Sequence, residues 1–211
     1  MELTLTTFLS IDGVMQSPGG PSEDPSNNFA LGGWLVPFAD MDMGTYVTEW
    51  FSHADAFLFG RKTFEIMAAF WPNVTDPHDD VAARLNGKPK FVATSTTTLA
   101  EWAPSTLVHG DLRIAVERLK ALPGDEIQVH GSGRLARSLH DLGLIDEYRL
   151  WTFPVVLGEG LRLFSDGAIP TSFELVDHKT TSTCVTIHSF RPTGPITQGA
   201  FDIEDGAEVT R

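Results

Sequence analysis

Two glycines around a serine, followed by an arginine, come directly after an apolar segment in the stretch IQVHGSGRLARSL, residues 127–139. Leucines recur at helical spacing after Arg134, so the turn Gly131-Ser132-Gly133-Arg134 joins a predicted strand to a predicted helix. Glycine lets the backbone adopt positive φ and approach a ligand closely, and a helix N-terminus offers N–H groups to an anion. The motif therefore predicts either a phosphate site or a tight turn that needs glycine for shape alone.

Three more sets of small, polar or basic residues follow predicted strands: Ser10-Ile11-Asp12-Gly13, Gly60-Arg61-Lys62-Thr63 and Thr94-Ser95. Ligands of parallel sheets bind beyond the carboxyl ends of the strands, so we expect these turns to meet at one edge. Arg61 and Lys62 begin a predicted helix, where the helix dipole disfavours cations. A bound anion accounts for them better than a solvated first turn does.

Short apolar strands alternate with helices along the chain. Strands are predicted over residues 3–9, 56–59, 91–93, 107–108, 127–130 and 148–153, helices over 40–52, 61–70 and 112–122, and a closing antiparallel pair over 173–176 and 184–190. This alternation predicts an α/β fold, with a mostly parallel central sheet and helices on both faces. The segment 10–34 is too long for an ordinary connection and is expected to be a lid or binding loop. Residues 191–211 show little pattern and are expected to fray or to lie on the surface.

The composition narrows the class of protein. The net charge of −13 over 211 residues argues against nucleic acid and anionic membranes as partners, since both attract basic surfaces. The single cysteine, Cys184, excludes an internal disulfide and a cysteine-rich metal site. The first residues lack the basic start and apolar core of a signal peptide, and no apolar run approaches the roughly 20 residues of a membrane helix. We therefore expect a cytoplasmic protein.

Five stretches together resemble the dihydrofolate reductase-like family, and within it the reductase domain of riboflavin biosynthesis and its stand-alone bacterial relatives. They are FLSIDG (8–13), FLFGRKTFE (57–65), VATS (92–95), VHGSGRLA (129–136) and PVVLGEGLRLF (154–164). The resemblance implies a three-layer dihydrofolate reductase-like fold, with a reductase domain over 1–190 and a tail over 191–211. It also implies a homodimer, the commonest form of assembly.

The resemblance further implies that NADPH is the cofactor. The cofactor ligands that it implies are Gly60 and Thr63 toward the pyrophosphate, Arg61 and Lys62 toward the 2′-phosphate, Thr94 and Ser95 at the adenosine, and Gly131, Ser132, Gly133 and Arg134 across the pyrophosphate from the second helix. The signature G-x-G-x-x-G with a following acidic ribose ligand is missing from the turn after His130. Its absence favours NADP over NAD.

Two aspartates are the candidate catalytic residues. The resemblance implies a buried carboxylate early in the first long helix, and Asp40 lies near that position, although its spacing to Gly60 departs from the usual pattern. An aspartate at a helix start also serves simply as a cap. Asp12 either orients ring groups of the substrate or closes an Asx turn. Trp34, Phe38 and Trp50 either wall an aromatic substrate or pack in the core.

The leading interpretation is an NADPH-dependent reductase that transfers hydride to a pterin- or pyrimidine-like heterocyclic small molecule. The alternatives are a non-catalytic nucleotide- or ligand-binding protein that keeps the fold, and a ligand-sequestering protein that uses segment 10–34 as a lid. A fused zinc deaminase is excluded because the chain has no proline-cysteine-x-x-cysteine motif. No metal is expected, since DPHDD (76–80) stands in a helix-capping context.

Overall fold

A twisted sheet of eight strands forms the centre of the structure, a computed structural model that describes residues 1–95 and 101–211. In chain order its strands are β1 (Glu2–Ser10), β2 (Ala54–Gly60), β3 (Lys90–Ala93), β4 (Ser105–Val108), β5 (Glu126–His130), β6 (Glu147–Phe153), β7 (Ser172–Thr180) and β8 (Thr186–Gly194). Across the sheet they run β4-β3-β2-β5-β1-β6-β8-β7. The first six are parallel, and β8 is antiparallel to both β6 and β7. The predicted parallel sheet with a closing antiparallel pair is confirmed.

Helices cover both faces of this sheet, as predicted. They are α1 (Met41–Ser52), α2 (Arg61–Phe70), α3 (Asp80–Gly87), α4 (Leu112–Lys120) and α5 (Gly133–Asp141). One apolar cluster joins α4 and α5 to the sheet, and two others lie under α1, α2 and α3 on the opposite face. The architecture is therefore three layers, helix–sheet–helix. Within the described residues, no helix has the length and apolar character needed to cross a membrane.

The burial of each strand follows its place in the sheet. Seven of the nine residues of β1 have buried side chains, because β1 is central and both of its faces are covered. Continuous apolar and threonine-rich runs of this kind are typical of buried parallel strands. β7 lies at the edge and has mostly exposed or half-buried side chains. Charged residues are accepted there, since an edge strand has no neighbour on one side.

The end of the chain differs from the prediction. Strand β8 continues past residue 190 to Gly194, and the segment expected to fray or to lie on the surface forms an antiparallel hairpin of β9 (Phe201–Glu204) and β10 (Ala207–Thr210). Asp205 and Gly206 connect its strands, both with positive φ (52° and 81°). An aspartate-glycine pair is the usual two-residue hairpin turn. The hairpin is regular structure that was not predicted, but its side chains are exposed or half-buried, which agrees with the alternative that this segment lies on the surface.

Candidate functional site

Two strand-to-helix turns touch each other at the carboxyl edge of the sheet. The backbone N–H of Ser132, after β5, donates to the hydroxyl of Thr63 at 3.1 Å. In the opposite direction, the N–H of Gly60, at the end of β2, donates to the hydroxyl of Ser132 at 3.1 Å. Because β2 and β5 are neighbours in the sheet, the turns are held side by side. The structure therefore brings Gly60, Thr63, Gly131 and Ser132 into one place.

The turn after β5 requires an unusual backbone. Gly131 and Ser132 both have a φ of 55°, a left-handed backbone conformation that residues other than glycine rarely adopt. The hydroxyl of Ser132 donates to the carbonyl of His130 at 3.1 Å while it accepts the N–H of Gly60. These two hydrogen bonds hold the serine in its strained conformation. The turn therefore lies against the start of α2, which it contacts through Thr63.

The first turns of α2 and α5 differ from those of the other helices. Aspartate side chains cap α1, α3 and α4: Asp40 accepts from Met43 N, Asp79 from Ala82 N, and Asp111 from Ile114 N. In the described part of the chain, no side chain caps α2, which follows Gly60, or α5, which follows Ser132. The N–H groups of these two first turns need an outside acceptor. Their position fits a bound anion such as a phosphate.

The three basic residues of the two turns have different surroundings. Arg61 is half-exposed and pairs with Glu65 of its own helix at 2.8 Å. Lys62 instead reaches the segment between β1 and α1, where its ammonium contacts the carboxylate of Asp24 and the hydroxyl of Ser26 at 3.0 Å. Arg134 is exposed. Sequence reasoning did not find Asp24, which lies 38 residues before Lys62 and in no recognisable motif.

Thr94 and Ser95 lie one strand further out. They follow β3, which pairs with β2, so they stand beside the turn at Gly60. The carbonyl oxygen of Thr94 is 2.9 Å from the Nδ1 of His109, and Ser95 is exposed. Thr94 and Ser95 therefore border the paired turns at Gly60 and Ser132, and their role toward the adenosine stays a prediction.

Asp12 anchors the loop that follows β6. Its two carboxylate oxygens accept hydrogen bonds from the hydroxyl of Ser10 (2.6 Å) and the N–H groups of Leu157 (3.1 Å) and Gly158 (2.9 Å). Arg162 pairs with the same carboxylate at 3.1 Å. The Ser10 hydrogen bond, followed by that of Leu157, holds the pKa of Asp12 far below its usual value. The residue is therefore an ionised anchor, and its role toward a substrate stays a prediction.

Asp40 is the N-cap of α1 and also joins that helix to the β7–β8 connection. One carboxylate oxygen accepts from Met43 N at 2.7 Å, and the other accepts from the Ser182 hydroxyl at 2.8 Å and from Thr183 N at 3.1 Å. The Met43 hydrogen bond is the largest cause that lowers the pKa of Asp40, to about 2. The capping role considered from the sequence is the one observed. Its catalytic role stays a prediction.

Comparison with known proteins assigns the family. The family model of the RibD C-terminal domain matches residues 1–187. The chain belongs to the RibD C-terminal domain family. It is similar to the uncharacterized protein YyaP of Bacillus subtilis, with 28% identity over 185 residues, which cover 87% of this chain and 90% of YyaP.

Solved structures show the same fold for this RibD C-terminal domain protein. A Shewanella sp. PV-4 protein assigned to riboflavin biosynthesis superposes with a TM-score of 0.66 and 22% identity, covering 92% of this chain and 99% of its own. Enterococcus faecalis dihydrofolate reductase, solved with NADP(H), superposes with a TM-score of 0.56 and 14% identity over 91% of this chain and 96% of its own. The three-layer dihydrofolate reductase-like fold is thereby confirmed.

Aromatic side chains of the RibD-type domain pack around β6. Trp34 and Phe38 meet the ring of Phe153 edge-on, with centroids 5.4 and 6.0 Å apart, and Trp50 meets Trp151 at 5.3 Å. All three residues considered from the sequence therefore pack with the core, Trp34 and Trp50 as buried side chains and Phe38 as a partly buried one. The indole N–H of Trp151 is buried and has no hydrogen-bond partner among the described residues.

A buried polar network runs beneath α1, toward the turn after β5. Arg149 forms a two-pronged pair with Glu126 (2.8 and 3.2 Å), and the amide of Gln128 donates to Glu126 at 2.8 Å and to the Trp50 carbonyl at 2.6 Å. His130 lies 2.9 Å from Gln128 and stacks on a phenylalanine of α1. Burial, and next the charge of Arg149, lower the pKa of His130 to about 3. The alternation of polar and apolar residues in EIQVH was the signal for this network, and sequence reasoning did not use it.

Proposed function

We propose that the protein is an NADPH-dependent reductase of a small heterocyclic molecule. The observation that carries this proposal is the pair of uncapped helix starts, α2 and α5, joined by the hydrogen bonds between Gly60, Thr63 and Ser132. Converging helix N-termini form a natural site for a pyrophosphate. Membership of a reductase-domain family supports the same reading.

The residues around this edge match the chemistry of the cofactor. When bound, NADPH supplies the hydride. The residues proposed to hold it are Gly60, Thr63, Gly131, Ser132, Gly133 and Arg134 at the pyrophosphate, Arg61 and Lys62 at the 2′-phosphate, and Thr94 and Ser95 at the adenosine. Arg61 must leave Glu65 to do so, and this exposed pair contributes less than about 1 kcal/mol. A phosphate dianion is a stronger partner for the guanidinium.

A pterin- or pyrimidine-like ring is the proposed substrate class. The likeness to a protein assigned to riboflavin biosynthesis and to a dihydrofolate reductase supports a nitrogen heterocycle. We propose that Asp12 shapes the substrate side by fixing the loop after β6. Asp40 stands at the start of α1 as an ionised carboxylate, available to a cationic or N–H-bearing ring edge once the contact with Ser182 opens.

A second candidate function is ligand binding without chemistry. The observation that favours it is that both candidate catalytic carboxylates are already engaged: Asp12 with Ser10, Leu157 and Gly158, and Asp40 with Met43, Ser182 and Thr183. A protein of this kind would bind NADPH and a heterocycle but would not oxidise the cofactor.

A substrate panel separates the two functions. NADPH oxidation is followed by absorbance at the nicotinamide band with aminopyrimidinediones and dihydropterins. The reductase predicts protein-dependent oxidation with at least one of them, and Lys62→Met should slow it at limiting NADPH. Lys88→Met is the control, because Lys88 is also a lysine paired with an aspartate, Asp55, but it follows the end of α3 instead of beginning α2. NADPH binding without oxidation across the panel would favour the binding protein.

A further inference from the structure

Residues 14–34, here called the covering segment, lie over the start of α5. Met15 is buried, and its sulfur lies where a β-carbon on Gly133 would be only 3.0 Å away. The segment is fixed at its start, where Val14 bridges to Arg162 and the Met15 N–H donates to the Leu161 carbonyl at 2.8 Å. The proposed pyrophosphate turn is therefore covered from one side by this segment.

The covering segment is braced internally around Gln16, which is buried. The Gln16 amide donates to the carbonyl oxygens of Asp24 (3.0 Å) and Ser26 (2.9 Å), and the Trp34 indole N–H donates to the Gln16 carbonyl at 2.8 Å. The hydroxyl of Ser17 accepts from Asp24 N at 2.9 Å. These contacts fix the shape of the segment, and they hold Asp24 in one position.

The contact between this segment and α2 is ionic. Asp24 is 8% exposed, and its carboxylate accepts from Lys62, from the Ser26 hydroxyl (2.6 Å) and from Ser26 N (3.1 Å). Lys62, in contrast, is a first-turn residue of α2 with a half-exposed side chain. The Asp24 carboxylate therefore pairs with the Lys62 ammonium, the same group that is proposed to bind a phosphate.

We propose that the Asp24–Lys62 pair is an autoinhibitory latch, in which the Asp24 carboxylate takes the place of the cofactor phosphate on Lys62 and keeps the covering segment closed. The inference rests on the proposed function, because it takes Lys62 as a ligand of the 2′-phosphate. Cofactor binding then requires the pair to open, and the apparent affinity equals the intrinsic affinity multiplied by the fraction of molecules that are open.

Two substitutions at the latch should separate closure from binding. Asp24→Asn and Lys62→Met each break the pair, so both should speed hydrogen–deuterium exchange in residues 14–34 without cofactor. They should move the dissociation constant of NADPH in opposite directions. Asp24→Asn should tighten binding about threefold to tenfold, since a partly exposed ion pair of about 1 kcal/mol is removed from the closed state. Lys62→Met should weaken binding, because the phosphate loses its partner.

Glu23→Gln is the matched control. It removes the same charge one residue away, and the Glu23 carboxylate accepts from Gly19 N rather than from Lys62. NADPH binding should change less than about twofold in this variant. Ser26→Ala is a second latch variant for the case that Asp24→Asn does not fold, which a melting curve would show. It removes one neutral hydrogen-bond partner of both Asp24 and Lys62 and should act in the same direction, more weakly.

The outcomes distinguish the latch from the proposed function. If wild type binds NADPH but Asp24→Asn behaves like Glu23→Gln, or leaves exchange in residues 14–34 unchanged, the latch is wrong and the function stands. If no form binds NADPH up to millimolar concentration, the proposed function is wrong and the inferred competition is overturned with it. Faster exchange together with opposite affinity changes supports both.

Discussion

Arg61 begins α2, whose start has no side-chain cap, but its guanidinium pairs with Glu65 of the same helix. We predict that Arg61→Ala weakens NADPH binding about 10- to 100-fold, since a charge-assisted hydrogen bond contributes roughly 1.5–3 kcal/mol. NADH, which has no 2′-phosphate, should be affected much less.

Arg113→Ala provides the control for this measurement. Arg113 lies in the first turn of α4 and faces Glu117 with the same spacing, but Asp111 caps that helix. Fluorescence titration of both variants with both cofactors gives the four dissociation constants. Equal losses for NADPH and NADH in Arg61→Ala would remove Arg61 from the 2′-phosphate.

His130 makes the stability of the fold depend on pH. Its pKa is about 3 in the folded protein, and 6.5 is its ordinary value, so the unfolded chain binds the proton first as the pH falls. Stability should therefore be lost between pH 6.5 and pH 3, and His130 should contribute about 3 kcal/mol of the loss between pH 7 and pH 4.

Chemical denaturation of the His130→Gln variant at pH 7, 5.5 and 4 tests this contribution. Its unfolding free energy should fall less steeply with pH than that of the wild type. The exposed His53 provides the control, and His53→Gln should follow the wild-type curve. A His130→Gln curve parallel to that of the wild type would show that the ring is not a buried neutral group.

The candidate site depends on the turn between β5 and α5. Substitutions at two glycines can show whether this turn binds a phosphate or needs glycine only for its shape. Gly131 (φ 55°) precedes α5 and Gly143 (φ 64°) follows it, and both are left-handed. Gly131→Val and Gly143→Val should each lower the unfolding free energy by about 1–3 kcal/mol through backbone strain. We predict that Gly131→Val alone also abolishes the rise in melting temperature caused by saturating NADPH.

Thermal melts with and without NADPH provide the comparison for this pair. The reason for the difference is position, since Gly131 lies beside Thr63 whereas a β-carbon on Gly143 would meet nothing within 4 Å. A Gly131→Val protein that melts early but keeps its full stabilisation by NADPH would mean that the glycine only shapes the turn.

The order of elements was predictable from the sequence because it rests on local patterns. The apolar runs ending in Gly60 and in His130 and the helical spacing after Gly131 each follow from a few neighbouring residues. Contacts between distant residues were not predictable in this way. Asp24 with Lys62, Asp12 with the loop at Leu157, and Arg149 with Glu126 are set by how the chain returns on itself, and no local pattern encodes them.

For the whole molecule we predict a homodimer. The apolar stretch 148–164 divides in the structure: Trp151 and Phe153 are buried in the core, whereas Val156, Leu161 and Phe164 are 68%, 44% and 40% exposed. Exposed apolar residues grouped in one segment favour an interface. Light scattering at micromolar concentration should give a particle mass of twice the chain mass of 23.1 kDa. Val156→Asp should lower the measured mass toward that of the monomer. A wild-type particle of 23.1 kDa would contradict this prediction.

An equilibrium titration of the wild-type protein with NADPH and, in parallel, with NADH tests the central claim most directly. The uncapped starts of α2 and α5 and the basic pair Arg61 and Lys62 predict saturable binding of NADPH, at least about tenfold tighter than binding of NADH. The signal is the fluorescence of the reduced nicotinamide. Equal affinities for the two cofactors, or no saturation by NADPH at millimolar concentration, would contradict the account.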